Sequence, residues 1–298
     1  MTGWIAADWG TSRLRIWALG AGGDVTGSAT SDEGMSRLTP DAFEPAFLRA
    51  AAGLLPEAGT VEVLICGMAG ARTGWQEVSY AAVPCDPIAC PERITTSDPR
   101  LNVRIIPGLS QSAPLDVMRG EETQIAGFLT VHPGYDGVIC LPGTHTKWVR
   151  VAQGRVLTFR TAMTGELFDL LATRSTLAGL TDDGWDEAAF DQAVSVAVRS
   201  TGALAADLFG LRAAGLLEHV APGAARARLS ALLIGQEVAS MRPIWQDRPV
   251  ALIGDATLED LYRRALDAAG QRAESFDAGE LTLTGLCAAF ETFREDCQ

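Results

Sequence analysis

The chain has 298 residues, 47% of them hydrophobic and 20% charged, with 37 acidic against 24 basic side chains and a formal net charge of -13. That length is a soft indication of two domains of about 150 residues each, and the apolar content excludes wholesale disorder. A surface field of this sign argues against nucleic acid or anionic lipid as a partner, and no apolar run approaches the roughly 18–20 residues of a membrane span.

In chain order, Trp4-Ile5-Ala6-Ala7 reads as a short apolar strand, and Asp8-Trp9-Gly10-Thr11-Ser12 as a turn. Leu14, Ile16 and Ala18 then alternate with Arg13, Arg15 and Trp17 as a second strand. A glycine-rich turn (Gly20 to Gly23) leads to a third strand near Val25–Thr30, a helix around Pro40–Leu54 and a buried strand at Val61–Cys66. Gly67-Met68-Ala69-Gly70 is a glycine-rich loop, and Asn102–Ile106 is a further strand. Glu121 opens a helix. The pattern then restarts, with a strand at Gly137–Leu141, a turn at Pro142-Gly143-Thr144-His145-Thr146, and strands at Trp148–Val151 and Val156–Arg160. Gly10-Thr11 falls on Gly143-Thr144 at an offset of 133 residues, so the repeated unit is a whole lobe. Helices at Glu187–Phe209, Ala224–Met241, Leu258–Ala269 and Leu281–Phe293, with one strand at Val250–Ile253, complete an α/β protein. No long linker separates the lobes, so they are expected to pack closely around a cleft.

Cys66, Cys85, Cys90, Cys140, Cys287 and Cys297 form no CxxC pair, and His132, His145 and His219 lack zinc-ligand spacing. The opening Met1-Thr2-Gly3-Trp4 shows no basic region running into an apolar stretch. Both features point to reduced thiols in a cytoplasmic protein.

Each lobe opens with a Gly-Thr turn between two strands, where backbone N–H groups and a hydroxyl can approach an anion. Such turns also make ordinary hairpins; their recurrence at one place in both lobes favours phosphate. Asp8 precedes the first turn and suits a magnesium ion, whereas the second copy has Leu141 there and carries Lys147, the only lysine. Lys147 reads equally well as a charge-neutralising group for a transferring phosphoryl and as a solvated hairpin lysine. In Met118-Arg119-Gly120-Glu121-Glu122-Thr123-Gln124 the two glutamates occupy a first helical turn, a common place for acidic residues. Adjacent helical positions diverge by about 100°, so one of them can face a substrate as general base. Glu121 is the first choice and Glu122 the alternative. Arg119 is a candidate clamp for a substrate carboxylate, ahead of Arg37 and Arg72. Val250 to Thr257 runs from strand into helix through Gly254, a junction that permits close approach of a ring or phosphate.

With these segments assembled, the chain resembles the sugar-kinase, actin and Hsp70-type ATPase superfamily, and more closely the 2-dehydro-3-deoxygalactonokinases of galactonate breakdown. The resemblance rests on Ile5–Ser12, Gly67–Gly70 with Gly74-Trp75, and Val117–Gln124. Pro142–Trp148, Phe159–Leu167 and Leu232–Arg242 complete it, so it spans nearly the whole chain. It implies two ribonuclease-H-like lobes, residues 1–118 and 119–298, around a central nucleotide cleft that takes ATP and Mg2+. By likeness, Asp8 with Gly10, Thr11 and Ser12 forms the first phosphate motif; Gly143, Thr144 and His145 form the second. Gly254 and Asp255 belong to the adenosine motif, although many superfamily members carry a small residue where Asp255 stands. Gly34, Met35, Met68, Ala69, Trp75, Thr164 and Glu166 are expected to line the sugar pocket with Arg119.

The implied reaction moves the γ-phosphoryl group of ATP to the terminal hydroxyl of 2-dehydro-3-deoxygalactonate, a small sugar acid, in a chain that could be a homo-oligomer. Glu121 serves as base, Asp8 holds magnesium and Lys147 stabilises charge. The rival readings are a kinase for the gluconate epimer or another 2-keto-3-deoxy acid, a phosphohydrolase of the same superfamily, and a nucleotide-dependent regulatory module.

Overall fold

A computed structural model describes residues 3–200, 202–218 and 220–296, and the side chains of these up to Arg294. The chain divides into two compact units. The first runs to Tyr135, takes back Ala152–Thr158 and ends with the chain from Ala278 onward; the second holds Asp136–Val151 and Phe159–Asp277. The boundary expected after residue 118 therefore lies later, and the C-terminal helix belongs to the first unit.

In the first unit, strands β1 (Trp4–Trp9), β2 (Leu14–Leu19) and β3 (Val25–Ser31) form an antiparallel ribbon. Strand β1 runs two residues further than its apolar start indicates, so Asp8 lies on the strand rather than in the turn. Helix α1 (Phe43–Ala50) is shorter than the predicted Pro40–Leu54 segment, because Pro40–Ala42 forms a separate single turn and Ala51 already ends the helix. Strand β4 (Val61–Gly67) adds parallel to β1. After β5 (Tyr80–Ala82) and β6 (Glu92–Arg93) comes β7 (Leu101–Ile105), parallel to β4. The sheet order is β3-β2-β1-β4-β7-β6. Strand β1 is buried along nearly its whole length, as expected for a central strand covered on both faces. On one face Trp9 packs on Phe43 and Phe47 of α1, with ring centroids 4.8 and 6.5 Å away. Each such burial is worth about 1.5–3 kcal/mol. A small sheet not read from the sequence, β5 with β8 (Gly108–Ser112) and β9 (Leu115–Met118), leads into α2 (Glu121–Val131).

The plan recurs with β10 (Gly137–Leu141), β11 (Thr146–Ala152) and β12 (Arg155–Ala162), of which Ala152 and Arg155–Thr158 belong to the segment taken back by the first unit. Helix α3 (Thr164–Arg174) is not among the helices read from the sequence. Gly165 at its second position weakens the helical signal, but a Cβ there would lie 2.4 Å from the Gly143 carbonyl oxygen. The predicted helix Glu187–Phe209 is two helices, α4 (Glu187–Ala197) and α5 (Leu204–Leu217), with Gly202 between them at φ +92°. Next come α6 (Pro222–Ser240), α7 (Arg242–Trp245), β13 (Val250–Gly254), α8 (Ala256–Ala268) and β14 (Ala273–Asp277). The sheet order is β12-β11-β10-β13-β14, with β13 parallel to β10 and β14 parallel to β13.

The chain then returns to the first unit as α9 (Ala278–Asp296), which crosses α2 at very short range. A Cβ at Gly285 would fall 1.9 Å from the Thr123 carbonyl oxygen, so only glycine permits this approach. The same helix lays Leu286, Ala289 and Phe290 against Trp4, Leu64 and Cys66 on the other face of the sheet. Apolar burial therefore decides the unit to which α9 belongs.

Among the described residues, Cys66, Cys85, Cys140 and Cys287 are free thiols, whereas Cys90 is disulfide-bonded, against the expectation of reduced thiols throughout. His219 and Cys297, like Met1 and Thr2, lie outside the described residues. No described helix is long and apolar enough to cross a membrane.

Candidate active site

The first unit gathers its singled-out residues at the carboxyl ends of the parallel strands β1 and β4, where ligands of open α/β sheets bind. Asp8 stands opposite Arg15 in the β1–β2 register, and Arg15 Nη2 donates to Asp8 Oδ2 at 2.5 Å. The turn that follows is closed by Gly10 N–H donating to the Arg13 carbonyl at 2.8 Å, leaving Thr11 and Ser12 exposed. Two backbone bonds fasten the next loop to it: Met35 N–H to Gly10 O at 3.1 Å and Ser36 N–H to Thr11 O at 2.9 Å. Gly34 is buried against Ser12, where a Cβ would meet the Ser12 carbonyl carbon at 2.2 Å. The expected first phosphate turn and the Gly34-Met35 loop are thus one structure.

Gly67 ends β4 beside Asp8; a Cβ there would lie 3.4 Å from Asp8 Oδ1 and 2.6 Å from the Trp9 carbonyl oxygen. Gly120, at φ +106°, precedes α2, and a Cβ on it would lie 3.3 Å from the Gly67 Cα. Asp8, Gly67 and the glutamates of α2 therefore converge within this unit. Glu121 is partly exposed, and its Oε2 accepts from the Arg119 N–H at 3.1 Å. Glu122 is fully buried and accepts from the Gly120 N–H at 2.6 Å. Burial, reinforced by the adjacent charge of Glu121, pushes its carboxyl up to about 8. A base must touch the hydroxyl it deprotonates, so burial leaves Glu121 as the candidate and removes Glu122.

Three expected sugar contacts take other places. Ala69 is fully buried in the core beneath its 3-10 turn, which leaves its side chain no path to a ligand; Met68 beside it is half-buried. Trp75 is partly buried, with its ring 6.0 Å from both Trp9 and Phe47. Arg119 is only 8% exposed. Its Nη2 donates to the carbonyls of Val78 at 2.9 Å and Ser79 at 3.3 Å, and its charge lies 4.2 Å over the Tyr80 ring. Its Nε and Nη1 are buried without a hydrogen-bond partner, so the open two-pronged face expected of a carboxylate clamp is absent. Arg37 and Arg72 are exposed.

In the second unit the turn Pro142–His145 is backed by the start of α3. Glu166 N–H donates to the Thr144 carbonyl at 3.0 Å, and its carboxylate meets His145 Nε2 at 2.5 Å. Thr164 and Glu166 thus belong to the scaffold of this turn. Gly143 and Thr144 keep the backbone of the turn accessible. Lys147 sits on β11, only 5% exposed, with Nζ donating to the His145 carbonyl at 3.1 Å. It is neither a solvated hairpin lysine nor extended toward solvent; it lies beneath the turn. Behind it Glu237 is buried, accepting from Trp148 Nε1 at 2.7 Å and from the Tyr262 hydroxyl at 2.8 Å, with Thr164 as a further partner. Burial raises its carboxyl pKa, and these three bonds oppose the rise.

Gly254 lies against Pro142, 3.6 Å from where its Cβ would stand, and donates its N–H to Glu259 at 3.0 Å. Asp255 caps α8 by accepting from the N–H groups of Thr257 and Leu258 at 3.0 and 3.2 Å. Its carboxylate thereby occupies the N-terminus of α8. Apart from Gly143 and Thr164, the wall of the adjoining cavity comes from residues that the sequence reading did not select. This cavity of about 370 Å³ is lined by Gly143, Thr164, Phe168, Trp185, Arg226, Ser230, Leu233, Thr257 and Leu258, among others. Arg226 and Ser230 repeat at i and i+4 along α6, as do Thr164 and Phe168 along α3. That helical spacing was the only available signal, and it does not say which face meets a ligand. The size and mainly apolar lining are those of a small-molecule site, and the cavity opens beside the Gly143 turn.

Among the described residues, no three His, Cys, Asp or Glu side chains group as a metal site. Asp8 offers one carboxylate shared with Arg15, a donor set that fits magnesium only where phosphate and water supply the other ligands.

Each unit thus carries an antiparallel hairpin followed by parallel strands, β1–β2 with β4 and β7 in the first and β10–β11 with β13 and β14 in the second, and its singled-out turn lies in that hairpin. This is the two-lobed plan of the sugar-kinase, actin and Hsp70-type ATPase class. The solved structure of a Sinorhizobium meliloti protein assigned as a 2-dehydro-3-deoxygalactonokinase matches with a TM-score of 0.90, at 39% identity over 97% of this chain and 98% of that one. The sequence matches the 2-keto-3-deoxy-galactonokinase family over residues 8–289. It is 39% identical to the Rhizobium meliloti (strain 1021) protein assigned the same activity, over 96% of both chains. It is 35% identical to the 2-dehydro-3-deoxygalactonokinase of Escherichia coli (strain K12), over 90% of both. The chain belongs to the 2-keto-3-deoxy-galactonokinase family.

Proposed function

We propose that the protein transfers the γ-phosphoryl group of ATP to the terminal hydroxyl of 2-dehydro-3-deoxygalactonate, giving the 6-phosphate. Family membership supports the phosphotransfer and the keto-deoxy acid. The observation that carries the assignment of roles is the convergence of Asp8, Gly67 and Gly120-Glu121 at the ends of β1 and β4. Glu121 orients the acceptor hydroxyl and takes its proton, a role worth on the order of 10²–10⁴ in rate. The Gly10–Ser12 and Gly143–His145 turns present backbone N–H groups to phosphate oxygens. Lys147 places positive charge beneath the second turn, and the cavity beside that turn takes the adenosine. Asp8 is the residue to hold magnesium, which when bound offsets charge on the transferred group.

The test is an ADP-release assay across a panel of 2-keto-3-deoxy sugar acids, with a control lacking acceptor. Turnover should be highest with the galactonate derivative. A preference for the gluconate epimer would reassign the sugar, and phosphate release without acceptor would reassign the protein as a phosphohydrolase.

A further inference from the structure

Helix α6 is buried along most of its length, and from it Glu237, 5% exposed, enters the apolar core that holds Trp148, Val238 and Tyr262. Its carboxylate accepts from two different elements. Trp148 Nε1 of β11 donates to Oε1 at 2.7 Å, and the Tyr262 hydroxyl of α8 donates to Oε2 at 2.8 Å. The Tyr262 oxygen also lies 2.7 Å from the hydroxyl of Thr146, which ends the turn containing Gly143 and Thr144 and begins β11. Tyr262 has one hydrogen, used on Glu237, so the Thr146 hydroxyl is the donor in that contact.

A carboxyl group in an apolar core is costly even when hydrogen-bonded, and a leucine would fill the place without that cost. Among the described residues, no cation stands within ion-pair distance of Glu237 to offset it. What the carboxyl adds is direction. Thr146 and Trp148 are two residues apart on β11 and face the same side, while Lys147 between them faces the other. Holding Trp148 directly and Thr146 through Tyr262, Glu237 fixes the register in which the strand leaves the turn; a slip of one residue would bring Lys147 inward. We infer that Glu237 is a positioning residue for the nucleotide site: through Tyr262 it holds Thr146, and with it the exit of the 142–146 turn, where the backbone N–H groups of that turn meet phosphate. The inference rests on the reading of that turn proposed above.

The remaining supports of the turn lie elsewhere along it. Its entry rests on Gly254, whose Cβ would stand 3.6 Å from Pro142, and its middle is held by the Glu166 N–H on the Thr144 carbonyl at 3.0 Å. Thr146 lies beyond the last pair of the β10–β11 ladder, Leu141 with Lys147, and there the bond from its fully buried side chain to Tyr262 takes over. Tyr262 also lines the cavity beside the turn. One carboxyl group therefore supports both the turn and the wall next to it.

The experiment compares wild type with Glu237→Leu, Glu237→Gln, Tyr262→Phe and Val238→Ala by steady-state kinetics, thermal melts and amide hydrogen exchange over residues 143–147. Glu237→Leu and Tyr262→Phe should raise KM for ATP by about 10-fold, the equivalent of one lost hydrogen bond, with KM for the sugar acid little changed. Exchange over the turn should quicken in both. Glu237→Gln keeps an acceptor for Trp148, and the Tyr262 hydroxyl can turn to accept from the amide and donate to Thr146, so it should recover most of the loss. Val238→Ala removes buried methyl groups beside Glu237 but none of these hydrogen bonds; it should lower Tm and leave KM for ATP and the exchange of the turn as in wild type. Exchange of the turn unchanged in Tyr262→Phe, Glu237→Gln as impaired as Glu237→Leu, or KM for ATP that follows Tm through Val238→Ala would overturn the inference. Quickened exchange with KM for ATP unchanged would leave the hold on the turn standing and overturn its reading as a phosphate turn instead.

Discussion

Asp8 and Arg15 face each other across the first hairpin, carboxylate oxygen to guanidinium nitrogen at 2.5 Å, whereas Leu141 and Lys147 are paired at the corresponding place in the second. One hairpin therefore holds an ion pair between its strands, and the other sets a buried lysine beneath its turn with Nζ donating to the His145 carbonyl. Magnesium held at Asp8, as proposed, would compete with Arg15 for the carboxylate. Asp8→Asn should raise the magnesium concentration for half-maximal rate by about 10-fold or more, while Arg15→Met should lower it, since the competing cation is gone. Magnesium titrations of ADP release check both, and matching curves for all three proteins would remove Asp8 from the metal site.

Glu121→Gln should lower transfer by on the order of 10²–10⁴-fold and leave nucleotide affinity intact, because the carboxylate is needed only for the acceptor proton. Single-turnover transfer and equilibrium nucleotide binding separate the two effects. Unchanged turnover would send the base elsewhere.

Gly165 lets α3 rest on the Gly143 carbonyl oxygen, 2.4 Å from where a Cβ would stand. Gly165→Ala must push the turn or the helix aside. KM for ATP should rise by about 10-fold, as for the loss of roughly 1.4 kcal/mol of binding, with KM for the sugar acid little changed. Steady-state kinetics with each substrate varied in turn decide the matter, and an effect confined to the sugar acid would place the second turn outside the nucleotide site.

Glu122 also links stability to pH. Its carboxyl lies at about 8 in the folded protein against 4.5 for the ordinary group, so the folded state binds the proton more tightly than the unfolded one. Its contribution is fully present below about pH 4.5 and is lost as pH rises through about 8, by a few kcal/mol in total. Relative to wild type, Glu122→Gln should therefore gain thermal stability progressively over that window and no further above it. Thermal melts of both proteins from acid to alkaline pH measure this, and a constant difference in Tm would show that Glu122 does not titrate there.

Much of the architecture is local and therefore legible in one dimension. Strand alternation at Leu14–Ala18, the apolar runs at Val61–Cys66 and Val250–Ile253, and the recurrence of Gly-Thr turns at a fixed offset all have short-range causes. Side-chain periodicity and turn chemistry act over a few residues. The motif spelling around Asp8, Glu121 and Gly143 likewise pointed to a kinase family before any packing was known.

What only the tertiary structure decided are the matters of burial and partnership. Glu121 and Glu122 are neighbours of identical chemistry, and they differ because the packing around the start of α2 buries one and leaves the other partly open. Arg119 looked like a clamp until its guanidinium was found against Val78, Ser79 and Tyr80, more than three dozen residues earlier in the chain. Ala69 and Asp255 were drawn into the core and into a helix cap. The cavity wall on α3, α6 and α8 comes from three stretches whose facing sides are set by one another. Composition and spacing record what each segment can do; desolvation and hydrogen-bond partnership depend on which distant segments meet, and that is settled only when the chain closes on itself.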